Sequence, residues 1–207
     1  TSVPGVSKKT PDIAFAEIIT NFRLALASDI LDHNPRQIQV NEEKLSYVVQ
    51  VLINRVLFIR ICEVRKIEEE GLLKSFQEQG FWKAFKQSSY LDFFNHYDGP
   101  LFDRIKSIHN LTISDEVFNI LLEHLYYPSP YRFDVIPTKL LSDIYEIFLS
   151  KKLKIVDNEV KDELRSEYSK TKGAISTPQY IVEDIIRRTI KERDLLASDI
   201  HSLLNTK

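Results

Sequence analysis

Apolar residues recur every three or four positions along several stretches of the chain, which is the pattern of helices with a buried side. The clearest stretch runs from Asn41 to about Ile67, and its regularly spaced apolar residues are Leu45, Val48, Val49, Leu52, Ile53, Val56 and Leu57. A helix is also predicted from Thr10-Pro11, an N-cap followed by a first-turn proline, to about Leu31. The pattern predicts a helical protein in which helix 41–67 is central.

Shorter elements follow along the chain. Two short helices are predicted across residues 71–87 and 88–97, Ser114 is expected to cap a helix that ends near Leu125, and Pro137 is expected to open a helix through residues 138–152. Residues 151–170 mix lysines and arginines with acidic residues, which favours an exposed helix or a linker.

The last predicted helix begins at Thr177-Pro178. Its apolar positions are Ile181, Ile185, Ile186 and Ile190. We therefore predict an all-α fold, an irregular multi-helix bundle, divided into a helical domain over residues 1–155 and a charged linker with one helix over residues 156–207.

Composition supports this fold class and limits which kinds of binding site the chain can carry. Apolar residues make up 43% of the chain and there are only 5 glycines, too few for the turn-rich sandwiches and barrels. The formal net charge of -2 gives no overall attraction to nucleic acid, so any DNA contact must be local. Cys62 is the single cysteine, which excludes a disulfide framework and a cysteine-based zinc site.

Neither a secretion signal nor a long apolar run is evident in the sequence, so we expect a cytoplasmic protein with no membrane contact. The sequence begins at Thr1 and contains no Met. We therefore expect either a fragment of a longer protein or a sequence from which residues are missing.

Small residues precede the last helix in the segment KGAISTPQYIV, residues 172–182. The unpaired backbone N–H groups at a helix start hold carboxylates or phosphates, and Gly173 gives the backbone freedom to approach such a ligand. Thr177 and Pro178 permit a binding site, but the residues alone favour an ordinary capped helix, because Ser/Thr-Pro helix starts are common.

Other candidate groups lie elsewhere in the chain. Arg104 and His109 are spaced as in some all-helical ribonucleases, in which histidine acts as general acid or base and arginine stabilises phosphorane charge. The triplet Glu159 to Lys161 has the residue types of a metal-dependent nuclease, but such triplets arise by chance in charged stretches. The five histidines are scattered and form no zinc pair, so we predict no metal site.

Two local basic clusters are weak candidates for contact with a phosphate backbone. They consist of Lys151, Lys152 and Lys154, and of Arg187, Arg188, Lys191 and Arg193. Nearby acids reduce the charge of both clusters, and a solvated helix face explains each one as well. The aromatic segments 88–102 and 125–137 are expected to fill the joints between helices.

Four segments, taken in order, carry a resemblance to a known family: residues 49–67, 94–103, 133–153 and 170–186. Together they resemble the helical region of the large adenine-specific DNA methyltransferases, the type IIG restriction-modification enzymes and their phage-defence relatives. In that family a helical domain precedes the methyltransferase domain and, in many members, follows a nuclease domain. The resemblance implies that the last helix of this chain begins an α/β methyltransferase domain.

The resemblance also implies a role for the segment before the last helix. In the family, a lysine, a glycine, two aromatics and Thr-Pro lie beside S-adenosylmethionine. Lys172, Gly173, Ala174, Thr177 and Pro178 match this motif, while Ile175 and Ser176 replace the aromatic pair. The resemblance therefore implies cofactor-binding roles for Gly173, Ala174, Thr177 and Pro178.

The family's glycine-rich loop and its Asn-Pro-Pro-aromatic motif, which grips the flipped adenine, are expected after this point and are absent up to Lys207. We therefore expect S-adenosylmethionine and DNA to be bound by the full-length protein, together with its own catalytic and target-recognition domains. We assign no catalytic residue to this chain and expect it to bind no cofactor alone. The alternatives are a metal-independent ribonuclease that uses Arg104 and His109, and a non-enzymatic helical adaptor.

Overall fold

The structure of the protein is a computed structural model that describes residues 11–34, 41–97, 99–126, 144–146, 148, 150–157, 159–166 and 180–190. The described part is mostly helical with one two-stranded sheet, which confirms the all-α prediction. In chain order its elements are α1 (Pro11–His33), α2 (Glu42–Val64), α3 (Leu72–Glu78), α4 (Phe81–Tyr90), α5 (Asp92–His96), a 3-10 turn (Pro100–Phe102), α6 (Lys106–His109), α7 (Asp115–Leu125), β1 (Lys151–Val156) and β2 (Glu159–Leu164).

The core lies where α1, α2 and α7 pack together and α3 and α4 cover them. The predicted central helix is α2, and Asn41 caps it by accepting a hydrogen bond from the Lys44 backbone N–H at 2.9 Å. Its fully buried side chains include Leu45, Val49, Leu52, Ile53 and Ile59. Burial of this many aliphatic side chains supplies most of the stabilisation of a helix that has modest intrinsic stability.

Aromatic rings fill the joint between α4 and α7. The Phe81 and Phe118 rings stack with centroids 4.3 Å apart, and Phe118 lies 6.0 Å from Phe22 of α1. Phe93 and Phe102, from the first aromatic segment, are likewise buried. The prediction that this segment packs between helices is confirmed for these two rings.

Among the described residues, α2 is the one helix long and apolar enough to cross a membrane, and 56% of that stretch is buried inside the protein. Burial of this kind is expected of the central helix in a helical core. Length and composition are therefore weak grounds for a membrane span here.

Buried polar side chains fix the loops to the helices. Arg55 of α2 donates from Nε to the Leu101 carbonyl at 2.7 Å and from Nη2 to the Asp103 carbonyl at 2.8 Å. Asn34, just after α1, pairs with the backbone of Thr112 in both directions, at 2.7 and 2.9 Å. Because these loop groups are paired, their burial carries no unsatisfied hydrogen bond.

Ser114 lies at the N-cap position of α7, as predicted, but its side chain does not cap the helix. Its hydroxyl instead donates to Asp29 of α1, and its backbone N–H donates to the same carboxylate at 2.9 Å. The serine therefore joins two helices, a role that local sequence does not reveal.

A buried carboxylate lies where α2 ends and α3 begins. Glu63 is 2% exposed and accepts hydrogen bonds from the Leu73 backbone N–H at 2.9 Å, from Arg60 Nη1 at 2.8 Å and from the Tyr126 hydroxyl at 2.7 Å. Burial, followed by the hydrogen bond to Glu63, raises the pKa of Tyr126 well above its ordinary value. The carboxylate is therefore fully paired, as a buried charge must be.

The interpretation of residues 151–170 as an exposed helix or linker is wrong for residues 151–164. β1 and β2 form an antiparallel hairpin in which Lys152 lies opposite Glu163 and Val156 lies opposite Glu159. The helix predicted through residue 152 also ends earlier: described residues 144–146, 148 and 150 are helical, and the strand begins at Lys151. Alternating side chains that bury Leu153 on one face explain why a strand forms here.

The chain divides into two compact units, Thr1–Ser169 and Lys170–Lys207. The hairpin belongs to the first unit, where it packs against α2. In the second unit, described residues 180–190 are helical, as predicted, and Ile181, Ile185, Ile186 and Ile190 are exposed. The division at residue 155 into a helical domain and the start of a methyltransferase domain stays a prediction.

Candidate nucleic-acid interface

The hairpin separates the three lysines that the sequence groups together. Lys152 and Lys154 lie on the outer face with Lys161, because side chains alternate along a strand and directly opposite residues share a face. Lys151 lies on the other face with Leu153, which is fully buried. Lys151, Lys152 and Lys154 therefore do not form one cluster.

Ion pairs reduce the charge of the outer face. Lys152 Nζ and Lys154 Nζ each lie 3.3 Å from the Glu163 carboxylate, and Lys161 Nζ lies 3.2 Å from Glu159. The Lys154 and Lys152 ammonium groups lower the pKa of Glu163. Because Lys152 and Lys154 share Glu163 while Lys161 pairs with Glu159, the outer face carries one more lysine than acid. One excess positive charge attracts a phosphate backbone only weakly.

The triplet Glu159 to Lys161 lies on a strand, which the sequence did not indicate. Glu159 and Lys161 are ion-paired and mostly exposed, with side chains 71% and 57% exposed. Within the described part of the chain, no group of three or more His, Cys, Asp or Glu side chains is arranged to hold a metal ion. The triplet is thus explained by a surface ion pair.

The inner face of the hairpin is anchored to the helices through charge. Arg23 of α1 is 2% exposed, and its Nη1 donates to Asp162 Oδ1 at 2.6 Å while its Nη2 donates to the Lys151 carbonyl at 3.3 Å. Burial lowers the pKa of Arg23, and the Asp162 carboxylate opposes that change. The strand contributes the one anion that the buried guanidinium contacts within the described residues.

Side chains of α2 pair with the free edge of β1. The Leu153 backbone N–H donates to Ser46 Oγ at 3.2 Å, and the Ile155 backbone N–H donates to Glu42 Oε1 at 2.9 Å. An unpaired strand edge is otherwise a template for association with another chain. The hairpin is therefore held by both hydrogen bonding and ion pairing, which fixes the position of its outer lysines.

Arg104 and His109 meet at a shared aromatic ring, Tyr90 at the end of α4. The Arg104 guanidinium lies 4.9 Å from the Tyr90 ring centroid and its Nε donates to the Tyr90 carbonyl at 3.1 Å. The His109 ring lies 4.6 Å from the Tyr90 ring. The sequence predicted the pair but missed Tyr90, because nothing in the local spacing links position 90 to position 104.

The residues predicted to bind cofactor lie outside the described residues. These are Gly173, Ala174, Thr177 and Pro178. The described helix that follows them, residues 180–190, agrees with the predicted helical continuation of the motif. The cofactor-binding roles stay predictions.

Sequence comparison confirms the recognised resemblance, because the chain is similar to a protein that is both a type II restriction enzyme and a methyltransferase. It is 35% identical over 199 residues to the type II restriction enzyme and methyltransferase RM.Eco57I of Escherichia coli. The match covers 95% of this chain and 19% of that protein, so the chain spans about a fifth of its curated relative. No protein-family model and no solved structure matches the chain.

Proposed function

We propose that this chain is the helical domain, with the first helix of the catalytic domain, of a DNA modification enzyme that transfers methyl from S-adenosylmethionine to adenine N6. The observation that carries the proposal is the 35% identity to a combined restriction enzyme and methyltransferase across nearly the whole chain. The all-α fold supports it, because the family resemblance implies a helical region ahead of the catalytic domain. The partners are then DNA and the protein's own catalytic and target-recognition domains, in the cytoplasm.

The first unit and the last helix have different roles in this proposal. The first unit has a buried core of its own and positions the catalytic domain. Helix 180–190 exposes isoleucines along its length, among them Ile185 at 56% and Ile190 at 54%. Exposed aliphatic side chains at helical spacing favour packing against further structure, which here is the remainder of the methyltransferase domain.

Transfer of an isotope-labelled methyl group from S-adenosylmethionine to DNA tests the proposed activity in the intact protein. We expect label in DNA and none in RNA. Label in neither, with RNA cut in the absence of metal and the cleavage lost in His109→Ala, would instead establish the ribonuclease. Binding of neither nucleic acid nor cofactor would establish the adaptor.

The cofactor edge is tested by replacing Thr177. We expect Thr177→Ala to weaken S-adenosylmethionine binding to the intact protein by about threefold to tenfold, the value of one lost hydrogen bond to a ligand. The measurement is isothermal titration calorimetry with the cofactor.

A matched control lies in the same chain, since Thr10-Pro11 is a second Thr-Pro pair predicted to start a helix. Thr10→Ala should leave cofactor affinity unchanged. Equal affinities for wild type and Thr177→Ala would contradict the predicted role of Thr177. Replacing Ile175 and Ser176 by aromatics should strengthen cofactor binding, because the family motif carries rings at these positions.

A further inference from the structure

A group of cationic side chains surrounds Tyr90 on the first unit. We call it the Tyr90 patch and define it as Lys86, Tyr90, Arg104, Lys106 and His109. Lys86, Tyr90 and His109 line one small cavity, and Arg104 and His109 both contact the tyrosine ring. Lys106 precedes His109 by three residues, so the two share one side of α6.

Arg104 is held in position with most of its donors left over. Its guanidinium lies over two rings, 4.1 Å from the Phe94 centroid and 4.9 Å from the Tyr90 centroid. Within the described residues, only its Nε has a hydrogen-bond acceptor, the Tyr90 carbonyl. Arg104 is exposed, and its two terminal nitrogens have no acceptor among the described residues, so they are available as the planar pair of donors that binds a phosphate.

The patch keeps its positive charge. No carboxylate among the described residues forms an ion pair with Lys86, Arg104 or Lys106. Asp103 is the acid that lines the cavity, and the buried Arg55 lies beside it. Burial lowers the pKa of Arg55, and the nearby Tyr47 and Asp103 oppose that change.

The patch is also rigidly supported. Helix α4 is fixed at its start, where Asp115 accepts the Trp82 backbone N–H at 2.6 Å and the Trp82 indole donates to the Leu111 carbonyl at 2.9 Å. Arg55 fixes the Asp103 carbonyl beside Arg104. A fixed set of donors loses little conformational entropy when it binds, unlike lysines on an unsupported loop.

We propose that the Tyr90 patch binds the phosphate backbone of duplex DNA, with Arg104 as the two-point phosphate contact and Lys86 and Lys106 on neighbouring phosphates. The inference rests on the proposed function, because DNA is the substrate there. Lys86, Arg104 and Lys106 form no ion pair with an acid among the described residues, whereas the outer face of the hairpin keeps one excess charge. The residues that suggest ribonuclease chemistry in the sequence thus serve in binding.

The test measures fluorescence anisotropy of a short labelled DNA duplex titrated with the intact protein that carries this chain, over a range of salt concentrations. We expect the triple variant Lys86→Gln, Arg104→Gln, Lys106→Gln to lower affinity about tenfold or more and to reduce the slope of log affinity against log salt by about 2 to 3.

Two further variants separate lost contacts from lost folding or lost net charge. The matched control Lys44→Gln, Arg65→Gln, Lys66→Gln removes the same charge from exposed positions outside the patch and should bind like wild type. The charge-preserving variant Lys86→Arg, Arg104→Lys, Lys106→Arg should keep the wild-type salt slope but lose the second hydrogen bond of Arg104, so its affinity should lie between those of wild type and the triple glutamine variant. Thermal unfolding midpoints of all three variants confirm that they are folded.

The outcomes separate the patch from the proposed function. If wild type binds the duplex and the patch variant binds it as well as the control variant does, the Tyr90 patch is not the DNA-binding site. The proposed function is unaffected by that result. If the double variant Lys152→Gln, Lys154→Gln abolishes DNA binding and the patch variant does not, the patch proposal is also wrong and the proposed function is unaffected. If wild type does not bind DNA, or binds RNA more tightly and cleaves it, both the patch proposal and the proposed function are wrong.

Discussion

Replacing Glu63 by alanine is expected to lower the free energy of unfolding by about 3–5 kcal/mol, because it removes one partner from a buried, charged network. The alanine leaves the Leu73 backbone N–H and the Tyr126 hydroxyl without the acceptor they share. Arg60 keeps its bond from Nε to the Leu125 carbonyl but loses the carboxylate at 2.8 Å from Nη1. Three donors thus lose a partner in a site that water does not reach.

Denaturation of the chain in urea measures this loss. Glu70→Ala is the matched control, since Glu70 is a nearby exposed glutamate and its loss should change the free energy of unfolding by less than about 0.5 kcal/mol. The loss in free energy of unfolding for Glu63→Gln should lie between those of Glu63→Ala and Glu70→Ala, because an amide oxygen still accepts a hydrogen bond. A Glu63→Ala protein as stable as the Glu70→Ala protein would contradict the network.

Asp162→Ala is expected to lower the free energy of unfolding by a similar amount, about 3–5 kcal/mol, because it leaves the guanidinium of Arg23 buried without an anion. The Arg23 side chain is 2% exposed and that of Asp162 is 10% exposed, so water cannot replace the lost partner. Arg23→Met should lower the free energy of unfolding less than Asp162→Ala does. The Asp162 carboxylate would still have a cation nearby, because Lys151 Nζ lies 3.8 Å from it. The double variant Arg23→Met, Asp162→Leu should recover most of the loss.

The hairpin supplies its own control. Glu159 and Lys161 form an ion pair on the exposed side of the same strand, and Glu159→Ala should lower the free energy of unfolding by at most about 1 kcal/mol. Urea denaturation of wild type, Arg23→Met, Asp162→Leu and the double variant gives a double-mutant cycle for Arg23 and Asp162. If Asp162→Ala costs no more than Glu159→Ala, the buried pair does not anchor the hairpin.

The long helices could be predicted from sequence because their signals are local. Apolar spacing and the cap at Asn41 located α2, and Thr10-Pro11 located the start of α1 within one residue. The start of α7 was found in the same way, although the hydroxyl of Ser114 bonds Asp29 rather than the helix backbone. Position along the chain was therefore predictable, while the partner of a side chain was not.

The hairpin was missed because charge was given more weight than alternation. One face of the hairpin carries the apolar residues Leu153, Ile155 and Val160 at alternate positions along the strands. Asp157 and Asn158 between the strands are residue types that tolerate the positive φ of a two-residue hairpin turn. Asp157 has a φ of 53°, the left-handed conformation that such turns require. What makes the strand stable is Arg23, which lies more than a hundred residues away in sequence.

The candidate sites differ in the same way: one is contiguous in sequence, and the other is assembled only by the fold. The family resemblance predicts a cofactor edge at Gly173, Ala174, Thr177 and Pro178 from a motif that is contiguous in sequence, and these residues lie outside the described part of the chain. The Tyr90 patch joins residues from α4 and from the segment 104–109, and only the fold shows that Tyr90 lies between Arg104 and His109. Spacing alone suggested ribonuclease chemistry for Arg104 and His109 only as an alternative to an ordinary surface pair, whereas the fold places both residues against the Tyr90 ring.

We propose that the protein carrying this chain methylates adenine at N6, and the identity of the modified base tests this proposal. DNA is incubated with the intact protein and S-adenosylmethionine carrying an isotope-labelled methyl group, digested to nucleosides and analysed by mass spectrometry. We expect labelled N6-methyldeoxyadenosine as the modified nucleoside. Label in methylcytosine, or DNA that stays unlabelled while the protein binds the cofactor, would contradict it.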